Sequence, residues 1–228
     1  MIGYLELLAD DLRDPLTGHQ RELVDIAARN GERLLSMIED LLTLSGLDAG
    51  RLTLRRSATD PRRMADTVVQ SLALQAETAG VTVHRSDEGE PVEADWDRAR
   101  MERVLVNLVG NAIKFTPEGG RVDVTVRSGD EGVELEVRDT GTGIAEEEQD
   151  KLFTRFFRTT AAQDAAVPGT GLGLAIAAEI VERHGGHVDL RSTLGEGTTV
   201  TVRLPVEATD GDGPQSSMSS ASPSMAGS

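Results

Sequence analysis

The sequence predicts an α+β protein: a two-layer α/β sandwich in which helices cover one face of a mixed sheet, preceded by a truncated helical hairpin. Three observations predict it. Segments at Val122–Val126, Val133–Val137, His187–Leu190 and Thr199–Leu204 are alternating or apolar, as strands with one wet face are. Segments 61–79, 97–115 and 172–184 carry apolar residues at helical spacing. Short glycine-bearing connections at Gly129–Gly132 and Ser192–Gly197 favour antiparallel hairpins.

Taken in order, Met1 to Asp10 places Ile2, Leu5 and Leu8 on one helical face, and Asp11 to Thr17 has turn composition around Pro15. A long periodic helix then starts at Thr17 or Gly18, with its stripe at Leu23, Ile26, Ala27, Leu34, Ile38, Leu41 and Leu42 and a plausible end at Gly46–Gly50. A hairpin this thin has little core of its own, so a homodimer through a four-helix bundle is expected, docking on the main domain being the alternative. The first helix is much the shorter, which suggests a chain that begins mid-helix. Arg51 to Ser57 reads as a short strand or extended linker, and Asp60-Pro61 as a helix start. Gly80 closes that helix, Val81–His84 is a short strand before a charged turn, and Val92–Ala94 follows. The helix from Asp97 to Phe115 has a broad apolar face and ends at Thr116–Gly120. The domains expected are a partial hairpin at 1–50, a linker at 51–60, a catalytic domain at 61–206 and a disordered tail at 207–228, where Ser, Gly and Ala leave little to bury.

Composition narrows the partners. The chain has 228 residues, 38% hydrophobic but only 3% aromatic, so its core is mostly aliphatic. A net charge of −16 argues against a nucleic-acid surface. No stretch approaches the ~20 apolar residues of a membrane span. The absence of cysteine removes disulfides and thiolate chemistry, in keeping with a cytoplasmic chain.

Three motifs carry chemistry. Asn107 and Asn111 are four apart on one helix, with Lys114 three further on, so all lie near one face. An Asn oxygen is a suitable hard ligand for Mg²⁺, and Lys114 can neutralise phosphate; a polar helix flank explains the same residues taken alone. Asp139 ends a strand, and Gly141 and Gly143 let backbone approach a ligand; a buried carboxylate there can accept a hydrogen bond from the exocyclic amine of adenine. A tight Asp-Thr-Gly turn is the plain alternative. Gly169, Gly171 and Gly173, with Thr170, Leu172 and Leu174, open an apolar helix whose amides can face phosphate. The spacing is neither the dinucleotide fingerprint nor a P-loop. Between the second and third motifs, Ala145 to Gly169 reads as a lid or mobile segment, with Lys151, Arg155 and Arg158 reaching for terminal phosphates and Phe153 and Phe156 anchoring its base; a surface helix with cation-rich edges is the plain alternative. His19, His84, His184 and His187 have no metal-ligand neighbours and read as structural, His184 as a helix C-terminal cap.

Together these motifs closely resemble the catalytic core of sensor histidine kinases of two-component systems, in the ATPase superfamily shared with gyrase, Hsp90 and MutL. Asn107–Asn111 with Lys114-Phe115-Thr116-Pro117 resembles the N box, Asp139–Gly143 the first glycine box, Leu152–Arg158 the F box, and Gly169–Leu174 the second glycine box. Gly195-Glu196-Gly197-Thr198 resembles the last turn of the family, and Arg29 to Ser45 its second hairpin helix. The resemblance implies the histidine kinase/Hsp90-type ATPase fold, ATP and Mg²⁺ as ligands, Asn111 on the metal, Asn107 and Lys114 near the phosphates, Asp139 on adenine, and Thr198 and the second glycine box around the nucleotide. It implies catalytic roles for Asn107, Lys114 and Arg155, a response regulator as partner, and a cytoplasmic kinase core whose longer protein is free to carry a membrane anchor. The acceptor-histidine motif of the family would lie just before Ile2, and His19 falls in the hairpin turn, so no phosphoacceptor is assigned. The chain is therefore expected to bind MgATP without phosphorylating itself, unless it serves a full-length kinase as partner. A Glu that activates water in the hydrolytic relatives is replaced by Asn107, a poor base, which favours transfer. The alternative left open is a non-catalytic nucleotide-binding module that dimerises with and regulates a kinase.

Overall fold

In a computed structural model of the chain, residues 53–129, 132–164 and 169–207 are described, together with positions scattered between 17 and 41. The expected first hairpin helix, the end of the second at 46–50 and the tail from 208 lie outside the described residues. The described positions from 18 to 41 are helical. Their start is fixed by a capping box, in which Gln20 N–H donates to Thr17 Oγ1 at 3.3 Å and Thr17 N–H to Gln20 Oε1 at 2.9 Å. Leu23, Ile26, Leu34, Ile38 and Leu41 on this helix are all exposed.

The main domain begins earlier than the helix start suggests. Strand β1 (Ser57–Thr59) pairs antiparallel with β3 (Ala94–Trp96), so the end of the segment expected as linker is built into a small two-stranded sheet. Trp96 is fully buried there and its indole donates to Pro205 O at 3.0 Å. Helix α1 (Pro61–Ser71) is capped by Asp60, which accepts from the Arg62 and Arg63 amides, with Pro61 at the first position. The expected single helix over 61–79 is broken at Leu72, after which α2 (Ala73–Ala79) continues to a left-handed Gly80. Ser71 Oγ donates to Val68 O at 2.8 Å, and Leu72 N–H is shared between Val68 O and Val69 O; such back-bonding bends helices.

The five-stranded sheet has the order β2-β4-β5-β7-β6, from β2 (Thr82–Glu88), β4 (Arg121–Gly129), β5 (Gly132–Asp139), β6 (His187–Thr193) and β7 (Gly197–Leu204). Only β2 and β4 are parallel. β2 runs four residues past the expected His84, through charges read as a turn. Pairing decides it: Arg85 to Glu88 find register partners Val124 to Arg127, Arg85 pairs with Asp66, and Glu88 with Arg127. Val122, Val124, Val126, Leu135, Val137 and Val202 point to one face, covered by Met64 and Val68 of α1, by Met101, Leu105 and Leu108 of α3 (Arg98–Phe115), and by Ile176 and Ile180 of α6 (Gly173–Arg183). Two short helices, α4 (Glu146–Gln149) and α5 (Thr160–Asp164), lie in the segment between β5 and α6. The other face of the sheet is charged. Arg127 bridges Glu88 to Glu134 and Glu136, and Arg203 bridges Glu134 to Asp189.

Candidate functional site

Helix α3, the end of β5, strands β6 and β7, the segment that follows β5 and the start of α6 enclose a cavity of about 760 Å³. Helical spacing puts Asn107, Asn111 and Lys114 on the cavity side of α3, all half-buried, while Leu105 and Val109 lock the opposite side into the core. Asn107 Nδ2 donates to Gly173 O at 3.2 Å, which ties the helix to the start of α6. Asn111 makes no side-chain hydrogen bond among the described residues, so its carboxamide oxygen is available to a ligand. Lys114 Nζ lies 5.2 Å from the Phe115 ring centroid, and a Cβ on Gly169 would sit 3.0 Å from it. Glycine at 169 thus leaves the ammonium room to approach the second glycine turn.

Asp139 stands at the end of β5, only 9% exposed. Its Oδ1 accepts the backbone N–H of Gly141 at 2.8 Å and of Thr198 at 3.1 Å, leaving Oδ2 with no protein donor among the described residues. Burial pushes the carboxyl above its ordinary range, against the pull of those two N–H bonds. Gly141 lies outside the cavity wall. A Cβ there would meet Phe115 O at 2.5 Å and Asp139 Oδ1 at 2.7 Å, so glycine lets the turn close under the carboxylate. Gly143 and Thr198 do border the cavity.

On the third side, Gly169, Thr170, Gly171, Gly173 and Leu174 line the cavity. Leu172 does not: it is 2% exposed and packs in the core, where it anchors the turn from below. Gly171 has φ +71, and its carbonyl accepts from Phe156 N–H at 2.8 Å. That bond corrects the expected lid. Phe156 is held at φ 64 and is 65% exposed, so it anchors nothing in the core. Leu152, 8% exposed, and Phe157 face the cavity instead. Of the lid cations, Arg158 lines the cavity and donates to Ala162 O at 3.0 Å, whereas Lys151 and Arg155 are exposed and lie outside its wall.

Sequence reasoning missed two supporting residues. Ser192 Oγ accepts from Ile144 N–H at 2.9 Å and donates to Gly197 O at 2.9 Å, joining the turn after Asp139 to the β6–β7 turn. Gln149 Nε2 donates to Ile144 O and to Ser192 O, both at 3.0 Å, and fastens α4 there. Neither has a signal in spacing, since each acts between segments distant in sequence. His184 is fully buried, its Nδ1 2.8 Å from Ile180 O, as expected of a structural cap.

The comparisons with known proteins agree with this geometry. Residues 96–208 match the family described as histidine kinase-, DNA gyrase B- and HSP90-like ATPase, and residues 1–50 match the His Kinase A (phospho-acceptor) domain. Histidine protein kinase DivJ of Caulobacter vibrioides is 36% identical over 206 residues, 90% of this chain and 34% of the relative. Circadian input-output histidine kinase CikA of Synechococcus elongatus is 37% identical over 84% of this chain and 26% of the relative. The chain therefore spans about a third or less of the length of these two relatives. Among solved structures, full-length ShkA in complex with AMPPNP superposes with a TM-score of 0.75 at 29% identity, covering 91% of this chain and 42% of that one. The Acinetobacter baumannii histidine kinase AdeS gives 0.66 at 25% identity, covering 90% and 92%. With both family domains matched in order, and the sheet and its helices in the arrangement of solved kinases, the chain belongs to the sensor histidine kinases.

Proposed function

We propose that this chain is the MgATP-binding core of a two-component histidine kinase, which transfers the γ-phosphoryl group of ATP to a histidine imidazole. The observation that carries the reading is one cavity with a buried carboxylate at one end and amide, ammonium and glycine-turn groups at the other. Asp139 Oδ2 accepts the exocyclic amine of adenine, and an oxo base in that place would set oxygen against oxygen. Val137 and Val200 offer apolar walls to the ring. Lys114, Arg158 and the amides of Gly169 to Gly171, at the N-terminus of α6, face the phosphates.

Asn111 supplies a single neutral oxygen, and among the described residues no group of three or more His, Asp or Glu side chains could hold a metal. That donor set fits Mg²⁺ only as an ion shared with substrate phosphates, the usual way this metal is bound. Bound there, the ion would neutralise charge on the phosphates. The remaining work of the chain is positioning and charge stabilisation. Asn107 cannot take a proton from water, and its Nδ2 is engaged with Gly173 O, which supports transfer over hydrolysis.

For Asn111→Ala, calorimetry of ATP binding with and without Mg²⁺ is expected to show the metal-dependent part of the affinity reduced on the order of 10-fold, one charge-assisted contact. The metal-free affinity should hardly change. Full retention of the metal effect would remove Asn111 from the site.

The exposed stripe on the helix between 17 and 41 is the surface proposed to form the homodimer, with a response regulator as the downstream partner. Ile38, 56% exposed, is one of its apolar positions. Ile38→Asp should weaken self-association about 10-fold or more in sedimentation equilibrium, because burying one such side chain contributes roughly 1.5–3 kcal/mol. An unchanged association constant would assign the stripe to another contact.

A further inference from the structure

Helices α3 and α6 run antiparallel and are fastened at two points. At the cavity, Asn107 Nδ2 donates to Gly173 O. Ten residues back along α3 and eleven further along α6, about 15 Å away at the helical rise, Asp97 N–H donates to His184 Nε2 at 3.0 Å. The other ring nitrogen, Nδ1, is 2.8 Å from Ile180 O. One nitrogen must accept and the other donate, so the imidazole is neutral with its proton on Nδ1. The ring is fully buried.

The same point receives the segment that leads back to the N-terminal helix. Arg55 N–H donates to Asp97 Oδ2 at 2.9 Å, and Asp97 Oδ1 accepts from Arg100 N–H at 3.3 Å. The Arg56 guanidinium donates to Asp95 O at 3.0 Å and to Arg183 O at 3.2 Å, so one side chain grips both the approach to α3 and the end of α6. Asn111 and Lys114 ride on α3, and the second glycine turn rides on α6. A slide of one helix on the other changes the distance between these two sets of groups. A misplacement near 1 Å at a reacting centre can reduce rates about 100-fold.

We infer that His184 is a positioning residue: with Asp97 it forms a joint that sets α3 against α6, and the joint passes strain from the linker at Arg55–Arg56 to the phosphate end of the cavity. The inference rests on the nucleotide reading of that cavity and adds a means of controlling it. The base end is held separately, by Asp139 and the β6–β7 turn, and does not depend on the joint. Charged groups facing the ring are Arg56 from the linker and Asp97 and Arg100 from the start of α3. Burial first, then Arg56 and Arg100, push the imidazole below its ordinary 6.5, while the bond to Ile180 and the Asp97 charge oppose them. A lowered value keeps the ring neutral through the physiological range. The joint is therefore intact above about 6.5 and loosens only as the pH falls through the depressed value.

The test compares ATP with AMP, both titrated against the full chain well below its unfolding temperature. His184→Phe fills the space without accepting from Asp97, whereas His184→Gln keeps an acceptor oxygen. The expected result is about a 10-fold loss of ATP affinity in His184→Phe with AMP affinity unchanged, and recovery to within about 3-fold in His184→Gln. In wild type the ATP-to-AMP affinity ratio should fall further at acid pH than in His184→Gln, where residue 184 cannot titrate and only the nucleotide phosphates do. Equal losses for both nucleotides, no loss at all, or an identical pH response in His184→Gln overturns the inference. If His184→Phe does not fold, Arg56→Ala decides: a selective loss for ATP supports the joint, and unchanged or parallel affinities refute it. Failure of the wild type to bind ATP would instead strike at the nucleotide reading itself.

Discussion

Replacing Asp139 by Asn should cost about 2–3 kcal/mol of nucleotide binding, on the order of 100-fold in Kd, while leaving the free protein as stable as before or more so. The two effects have opposite signs because the carboxylate serves two states differently. In the nucleotide complex proposed above its charge would accept the adenine amine, and an Asn amide turned the same way would set donor against donor. In the free protein the same charge is nearly buried and compensated only by two backbone N–H groups on Oδ1. Its folded pKa is raised from 3.8 by burial, so folding takes up protons, and stability declines as the pH rises from 3.8 through the folded value. An Asn oxygen keeps both backbone bonds and carries no charge to desolvate. Urea unfolding and calorimetry on the same variant test both halves. Loss of stability together with loss of binding would mean that Asp139 is chiefly a structural turn residue.

Gly197→Ala should lower the stability of the domain by about 3–4 kcal/mol, from strained backbone and overpacking together. The residue has φ 114, where side chains are rarely accommodated. An added Cβ would sit 2.1 Å from Asp139 O and 2.9 Å from Asp139 C, and backbone atoms cannot turn aside as a side-chain tip can. The strand start must then swing away from β5, taking the Thr198 N–H from Asp139 Oδ1. For a domain of this size the unfolding temperature should fall by about 10 °C. Trp96, the one tryptophan, is fully buried and tied to Pro205, so its fluorescence follows global unfolding. A shift within about 2 °C would show that the turn relaxes without strain.

Much of this architecture is legible in the residues because local rules and tertiary packing agree. The asparagine helix has its Asp97 cap, its apolar face and its stop at Thr116, and it forms at Arg98–Phe115. The alternating strands pair as antiparallel neighbours, though each runs a little further than its alternation. What escaped reading depends on partners far along the chain. Charges from Arg85 to Glu88 spell a turn until Asp66 and Arg127 are placed beside them. An aromatic pair such as Phe153 and Phe156 gives no sign of which ring turns outward; the Gly171 carbonyl decides it for Phe156. Leu172 sits inside a glycine motif yet belongs to the core. The start of the long helix at Thr17 or Gly18, by contrast, is legible in its periodicity, and the Thr17–Gln20 bonds fix it there.

The segment between β5 and α6 has a consequence for how this protein can vary. β5 and β7 keep their register from Val133↔Leu204 to Arg138↔Thr199 without any pairing to the described residues of that intervening stretch. It is moored at a handful of points, chiefly Gln149, Leu152 and the Phe156–Gly171 bond. Doubling the length of a flexible connection adds only about 0.6 kcal/mol of closure entropy. Insertions, deletions or whole exchanges between these moorings should therefore be inherited cheaply, letting descendants of this chain retune the covering of the cavity while the sheet beneath stays as it is.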